Sequence, residues 1–334
     1  MSAAPASPAA EARRRVRRVA VVWIVLAAWP FVAPNDYVTS LGVYFFINLL
    51  LIGGLNLVMG YGGQISLCQA GFFGLGAYVS GALAVKAGVS PWLGLAAAPV
   101  GTAIAALVIG LPALRLRGHY LAMATLGFNA ILSVLFVELV SITGGPNGLA
   151  GIPPLAIGGF ELDGGKRFFW LAWLAGAILM TLVALLLASR AGRALRAVAD
   201  SEVAAAAMGV DPFRTKLVAF MLSAAAAGVA GALFAHFNQY ASPETFSFSA
   251  SVLLVVMVAL GGWGHYWGPV LGAAVYTGVP ELLRRFQDAE LLVFGLGMLA
   301  VLLFLPDGLV GIGRHLRVSR AQAHAPRART DEAT

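Results

Sequence analysis

The chain has 334 residues, 60% of them hydrophobic and only 11% charged, with a mean hydropathy of +0.85. A water-soluble domain carries about 25% charged and about 45–50% apolar residues. So much apolar surface cannot be hidden in a soluble core, and an all-α, polytopic transmembrane helix bundle is predicted instead of a soluble enzyme or a nucleic-acid-binding module.

The chain opens with a basic tail, residues 1–18, ending in Arg13, Arg14, Arg15, Arg17 and Arg18. The apolar run that follows has Pro34 after Ala33, a poor cleavage context, so it reads as a retained first helix and not as a signal peptide. A membrane helix needs about 20 apolar residues. Segments approaching that length lie at 19–33, 41–59, 70–86, 92–111, 119–141, 168–188, 217–237, 249–263, 265–283 and 289–305. Pro34-Asn35-Asp36, Ser90-Pro91, Gly144-Gly145-Pro146-Asn147-Gly148, Ser242-Pro243 and Pro306-Asp307-Gly308 punctuate them. The expectation is about ten spans (range 8–11) within a transmembrane domain, 19–312, followed by a second basic tail, 313–334. With the N-terminus inside, seventeen of the 22 basic residues fall in inside segments; only Lys86, Lys166, Arg167, Arg284 and Arg285 fall outside. Basic residues concentrate on the cytoplasmic side of membrane proteins, so both termini are placed there and the pI of about 9.9 is a topology signal.

The spans are nearly bare of ionisable residues. Lys86, Glu138, Glu281, His119, His236 and His265 lie near span ends and read as interfacial side chains reaching for water. A buried proton relay is therefore not expected. No P-loop, nucleophile elbow or H-E-x-x-H sequence occurs, so no catalytic residue and no bound cofactor is predicted. The single cysteine, Cys68, excludes an internal disulfide, and the five histidines have no ligand spacing, so no metal site is predicted.

Polar residues inside the spans are neutral: Asn48, Asn56, Gln64, Ser66, Gln69, Thr125, Asn129 and Ser133. Such groups either bond helix to helix or line a wet path. Small-residue stripes at Ala70, Gly74, Ala77 and Gly81, and at Ala224, Gly228 and Ala232, suit close helix approach. The stretch MGYGGQISLCQAGFFGLGAY, 59–78, interrupts apolar sequence with glycines and glutamines. Gly62-Gly63-Gln64-Ile65-Ser66 reads as a helix break beside a path, because non-helical backbone in a bilayer must face protein or a wet cavity. The alternative is tight packing or a turn at the cytoplasmic face. Gly261-Gly262-Trp263-Gly264-His265 resembles this break coarsely.

The longest charged stretch between spans is GRALRAVADSEVAAAAMGVDPFRTK, 192–216. Asp200 or Ser201 can cap a short helix with Glu202 in its first turn, Gly209 can end it and Pro212 can start the next. A small helical knob exposed on the cytoplasmic face reads as a docking element.

These residues resemble those of branched-chain amino-acid ABC transporter permeases. The 192–216 loop is similar to the family's coupling segment, and Gly63-Gln64-Ile65-Ser66 to its early Gly-Gln-x-Ser segment. The run 114–128 resembles its R-G-x-Y-x-A-x-x-T-L block, and 143–153 its T-G-G-x-x-G-x-x-G-I-P block. Residues 261–265 with 268–273 resemble its late Gly-rich block. The last two favour the LivM-type subunit over the LivH-type one. Glu202-Val203-Ala204-Ala205, ending at Gly209, is a looser form of the general E-A-A–x3–G coupling motif and lacks its I-x-L-P tail. The resemblance implies a subunit in the bacterial cytoplasmic (inner) membrane, embedded in lipid. Its implied partners are a second permease, two ATP-binding subunits and a periplasmic or lipid-anchored solute-binding protein, with ATP bound only by the partners. It implies coupling residues Arg193, Glu202, Ala205, Gly209 and Lys216. Path candidates are Gly62, Gly63, Gln64, Ser66, Gln69, Thr125, Asn129, Gly261 and Gly262. The segment 142–167, with Gly144, Gly145, Asn147 and Gly148, is expected to meet the binding protein. Branched-chain amino acids are the expected solutes; urea or short amides are the alternative within the family, and a stand-alone channel or secondary carrier the alternative outside it.

Overall fold

The computed structural model describes residues 22–116, 118–157, 160–162, 164–283, 295–296, 299 and 308–311. The two basic tails and nearly all of the expected last span lie outside these residues. The principal helices are α1 (Asp36–Asn56, prolonged by a wider π turn, Leu57–Tyr61), α2 (Gln69–Lys86), α3 (Pro91–Ala113) and α4 (His119–Glu138). Then come α5 (Gly165–Ala188), α6 (Arg190–Asp200), α7 (Glu202–Ala207), α8 (Pro212–Asn238), α9 (Phe248–Gly261) and α10 (Gly268–Leu283). Among the described residues five helices are long and apolar enough to cross a membrane: Asp36–Tyr61, α3, α4, α5 and α8.

Local chemistry sets the helix starts. Pro91 begins α3 and Pro212 begins α8, where a missing N–H is harmless. Asp211 Oδ1 accepts from Arg214 N at 3.1 Å, and this cap extends α8 five residues ahead of the apolar run expected at 217. Ser189 caps α6, Ser201 caps α7, and Gly209 leaves the latter with φ +83°, as a C-terminal glycine does.

Two crossings are made in two pieces. After Tyr61 the chain leaves the helix and runs irregularly through 62–68 before α2 begins at Gln69, level with Leu51 of α1. Near the other end of the bundle, Tyr240–Ala241 pairs antiparallel with Leu149–Ala150, and the Tyr78 hydroxyl donates to Ala241 O. The chain then descends along α2. Phe246 packs at Gly74 against Phe73 and Tyr78, and Ser251 of α9 reaches Ala70 N. The segment expected as a full span at 249–263 is thus a 14-residue helix, about 21 Å long and shorter than the roughly 30 Å hydrocarbon layer. The residues before it, with one 3-10 turn at Pro243–Phe246, run beside α2 and bring the chain to its start.

The core is held by backbone approach. Helix α8 lies along α2 and α3. A Cβ placed on Gly76 would sit 2.5 Å from Gly228 Cα, one on Gly228 would sit 2.3 Å from Thr102 Oγ1, and one on Gly231 would sit 2.0 Å from Phe73 O. In lipid, where apolar contact has no hydrophobic advantage between helices, such close packing is what joins them. Of the stripes expected, Gly228 on α8 and Ala77 on α2, whose N would lie 2.7 Å from a Cβ on Gly231, take part in this contact, whereas Gly74 faces Phe136 and Phe246, and Gly81 faces Leu149 and Ile152. Helices α1 and α5 interlock reciprocally, with Phe169 against Gly42 and Phe46 against Gly176, and the two rings cross edge to face at 5.4 Å.

Gly231→Ala should therefore separate α2 from α8 and destabilise the bundle by about 1–3 kcal/mol, the usual result of overpacking. Gly127→Ala, which meets nothing within 4 Å, should leave it unchanged. Thermal unfolding of the purified proteins in detergent compares the two directly; equal midpoints would contradict the packing account.

Candidate functional site

The break after α1 gathers the molecule's neutral polar side chains. Gly63 takes φ +63° and Gln64 N donates back to Val58 O at 3.1 Å, which turns the chain inward. Unpaired backbone then needs partners. Leu67 N donates to Thr125 Oγ1 of α4 at 3.0 Å, and Ala70 N to Ser251 Oγ of α9 at 3.0 Å. Ser251 Oγ in turn donates to Asn129 Oδ1 at 3.4 Å. Gln69 Nε2 donates to Leu51 O at 3.1 Å and reaches Ser223 O at 3.5 Å, while Ser223 Oγ donates to Gln69 Oε1 at 3.1 Å. Ser66 Oγ lies 3.4 Å from Cys68 Sγ.

Five expected path residues, Gln64, Ser66, Gln69, Thr125 and Asn129, are thus brought to one buried cluster. Ser223 and Ser251 complete it. They were not singled out in the sequence: Ser223 is a lone hydroxyl in an apolar run, and Ser251 is the last of three alternating serines, Ser247, Ser249 and Ser251, ahead of one. The cluster is incompletely satisfied. Among the described residues Gln64, 4% exposed, has no partner for either amide atom, and Asn129, 0% exposed, has none for Nδ2. Buried polar groups of this kind are the ones that a solute, water or a neighbouring chain can satisfy.

The other glycines expected on the path lie elsewhere. Gly62 and Gly63 pack on α6: a Cβ on Gly62 would be 3.3 Å from Leu195 Cδ1, and one on Gly63 3.3 Å from Ala199 Cβ. Gly261 and Gly262 belong to the second break, which meets the first at Asn56. Asn56 Nδ2 donates to His265 O at 3.2 Å, and Gly264 N donates to Asn56 Oδ1 at 3.1 Å.

Of the expected coupling residues, Lys216 is buried in a salt bridge to Glu202, Ala205 is buried, and Arg193 Nη1 donates to Ala188 O at 3.1 Å. Gly209 has open space around it. The exposed apolar side chains on this knob are Val203, at 76%, and Met208, at 85%. Sequence reading passed over both, though two apolar residues in a charged loop are a usable signal.

Near the other end, Gly144, Gly145 and Gly148 all have positive φ, and Asn147 O accepts from Tyr240 Oη at 2.7 Å. His236 corrects an expectation. It does not reach for water but is 1% exposed, with Nε2 2.8 Å from Ser80 Oγ and Nδ1 2.8 Å from Pro153 O. Its place on α8, beneath the segment carrying Pro153, lets both ring nitrogens be used internally. Among the described residues no group of His, Cys, Asp or Glu could hold a metal ion.

A helical bundle with broken crossings and an uncharged polar cluster at their junction is the architecture of a multi-pass membrane permease. Residues 37–302 match the family described as the branched-chain amino acid transport system permease component, and the chain belongs to that family, whose members are transport subunits and not enzymes. It is 35% identical to the high-affinity branched-chain amino acid transport system permease protein LivM of Salmonella typhimurium, over 91% of this chain and 77% of that one. Identity to LivM of Escherichia coli is also 35%, over 93% and 78%. Identity to LivH of Salmonella typhimurium is 27%, over 78% and 90%, so the resemblance is of the LivM type. No solved structure matches the chain.

The two glutamines should separate in a stability measurement. Gln69→Leu strips partners from Leu51 O and Ser223, and should lower stability by about 1–3 kcal/mol. Gln64→Leu removes a polar group without protein partners and should leave the thermal midpoint unchanged or raise it. A larger loss for Gln64→Leu than for Gln69→Leu would refute the bonding pattern.

Proposed function

We propose that this chain is a membrane-spanning subunit of an ATP-driven importer in the bacterial cytoplasmic membrane. Its solutes are leucine, isoleucine and valine, delivered by a solute-binding protein. It works beside a second permease of the kind its LivH relatives represent, and two ATP-binding subunits supply the energy. The end of the bundle carrying α6 and α7 is taken as cytoplasmic, because Arg190, Arg193, Arg196, Arg214 and Lys216 gather there. In this orientation the chain makes about ten crossings, with both termini inside.

The observation that carries the reading is the contact between Ala199 of α6 and Gly63. One residue further on stands Gln64, whose amide has no partner among the described residues, within the non-helical segment. A push on α6 from an ATP-binding subunit would pass through Gly63 into the segment that carries the polar cluster. Val203 and Met208 would be the apolar contacts on which that subunit sits, with the Lys216–Glu202 pair bracing α7 against α8. Neutral amides and hydroxyls suit a zwitterion, since a fixed charge would hold it too tightly for release. Gly144, Gly145, Asn147 and Gly148 shape the surface proposed to receive the binding protein.

Cells lacking the gene should lose vanadate-sensitive uptake of labelled leucine. Loss of urea uptake alone would change the solute, and uptake abolished by an uncoupler but indifferent to vanadate would replace the importer with a carrier. Val203→Glu combined with Met208→Glu should reduce leucine uptake about tenfold or more while the protein still reaches the membrane at normal levels, a loss matched by the desolvation of charge at an apolar contact. Gly63→Leu should likewise impair uptake without preventing assembly; uptake at the unmodified level in that variant would detach the segment from the mechanism.

A further inference from the structure

Beside the polar cluster, between it and the end of the bundle remote from α6, the helices line a half-open chamber of about 310 Å³. Helices α1, α2, α8, α9 and α10 all contribute to its wall, so its described lining comes from this single chain. Ligand sites generally measure about 300–1,000 Å³, which makes this one suitable for a small solute. None of its lining residues is charged.

The wall has two characters. Ile47, Leu51, Phe73, Phe234 and Leu254 form an aliphatic and aromatic surface. Tyr44, Asn48 and Thr277 form a polar one. Asn48 Nδ2 donates to Thr277 Oγ1 at 3.1 Å, which leaves the Thr277 hydroxyl hydrogen and the Asn48 Oδ1 lone pairs outside that bond. Tyr44 Oη donates to Asn238 Oδ1 at 2.6 Å and keeps its own acceptor capacity. The polar wall therefore supplies acceptors for an ammonium and a donor for a carboxylate, opposite an apolar wall for a hydrocarbon side chain.

The chamber also touches the cluster beside it. Leu51, whose carbonyl holds Gln69, is shared by both, and Phe73 follows Gln69 by about one helical turn. Ala250 lines the chamber and precedes Ser251, the hydroxyl that joins Ala70 N to Asn129.

We infer that this chamber is a solute station for a zwitterionic amino acid with a short branched aliphatic side chain. The solute rests there with its charged groups on Asn48, Thr277 and Tyr44 before it passes the Gln69 cluster. The inference rests on the importer reading above and adds to it a binding site inside one subunit, with Ala250 and Thr277 as size- and polarity-determining positions.

The test uses the full transporter, reconstituted in proteoliposomes with its second permease, ATP-binding subunits and binding protein. Labelled leucine and labelled valine are compared. Ala250→Leu adds three carbons to the chamber wall and should lower leucine uptake by about tenfold or more, since even one methylene commands that much in an apolar pocket. Valine uptake should fall less, so the leucine-to-valine ratio drops, while ATP hydrolysis stimulated by the binding protein persists. Thr277→Val keeps the shape and removes the hydroxyl; it should raise KM for both solutes about tenfold with their ratio preserved. Should Ala250→Leu fail to assemble, Ala250→Val carries the same test. Unaltered leucine-to-valine ratios and KM values in assembled variants would overturn the chamber and leave the importer intact. A wild-type transporter that moves neither amino acid would overturn the importer reading, and the chamber with it.

Discussion

Lipid offers no hydrogen bonds, and the rest of this structure follows from that constraint. A helix satisfies its own backbone; an irregular segment such as 62–68 cannot. Val58 O takes Gln64 N and Thr125 of α4 takes Leu67 N, while the start of α2 that follows is tied by Ser251 of α9 at Ala70 N and by Ser223 of α8 and Leu51 O of α1 at the Gln69 side chain. The break is thus a joint property of five helices. Whatever displaces the segment must find new partners for several buried groups at once, which favours discrete arrangements over gradual distortion.

That joint property needs helices that approach closely. Gly76, Gly228 and Gly231 let α2, α3 and α8 meet at backbone distance, and Ser223 and Gln69 come within bonding reach along the same contact. Around Asn56 the same logic appears on a smaller scale. A Cβ on Gly60 would lie 2.3 Å from Gly264 N, so only glycine admits the second break, and one asparagine side chain then serves both. Packing and polarity are therefore inseparable here: the small residues exist so that the polar ones can pair.

Much of this was legible in the sequence. Apolar runs bounded by proline and glycine located most helices, because membrane helices must be long and uninterrupted to be stable on their own. The polar residues in the first break also declared themselves, being costly where they stand. What escaped depends on three-dimensional pairing. Gly76 and Gly231 differ from other glycines only in the neighbour each meets. Ser223 and Ser251 are unremarkable until Gln69 and Ala70 are placed beside them. His236 looked interfacial because it lies near a helix end, yet Ser80 and Pro153 enclose it. The short reach of α9 was hidden because its composition is that of a span, and only its starting level shows that it is not a complete one.

That short reach bears on how the protein is made. A 14-residue helix following a polar, bent segment is a weak candidate for partition into lipid by itself, since insertion favours about 20 apolar residues in succession. Helix α9 must then be retained by helices already in place: Ala70 N awaits Ser251, and Asn56 awaits the turn after Gly261. Its place in the bundle accordingly rests on contacts with α1 and α2, which precede it in the chain, more than on its own apolar length.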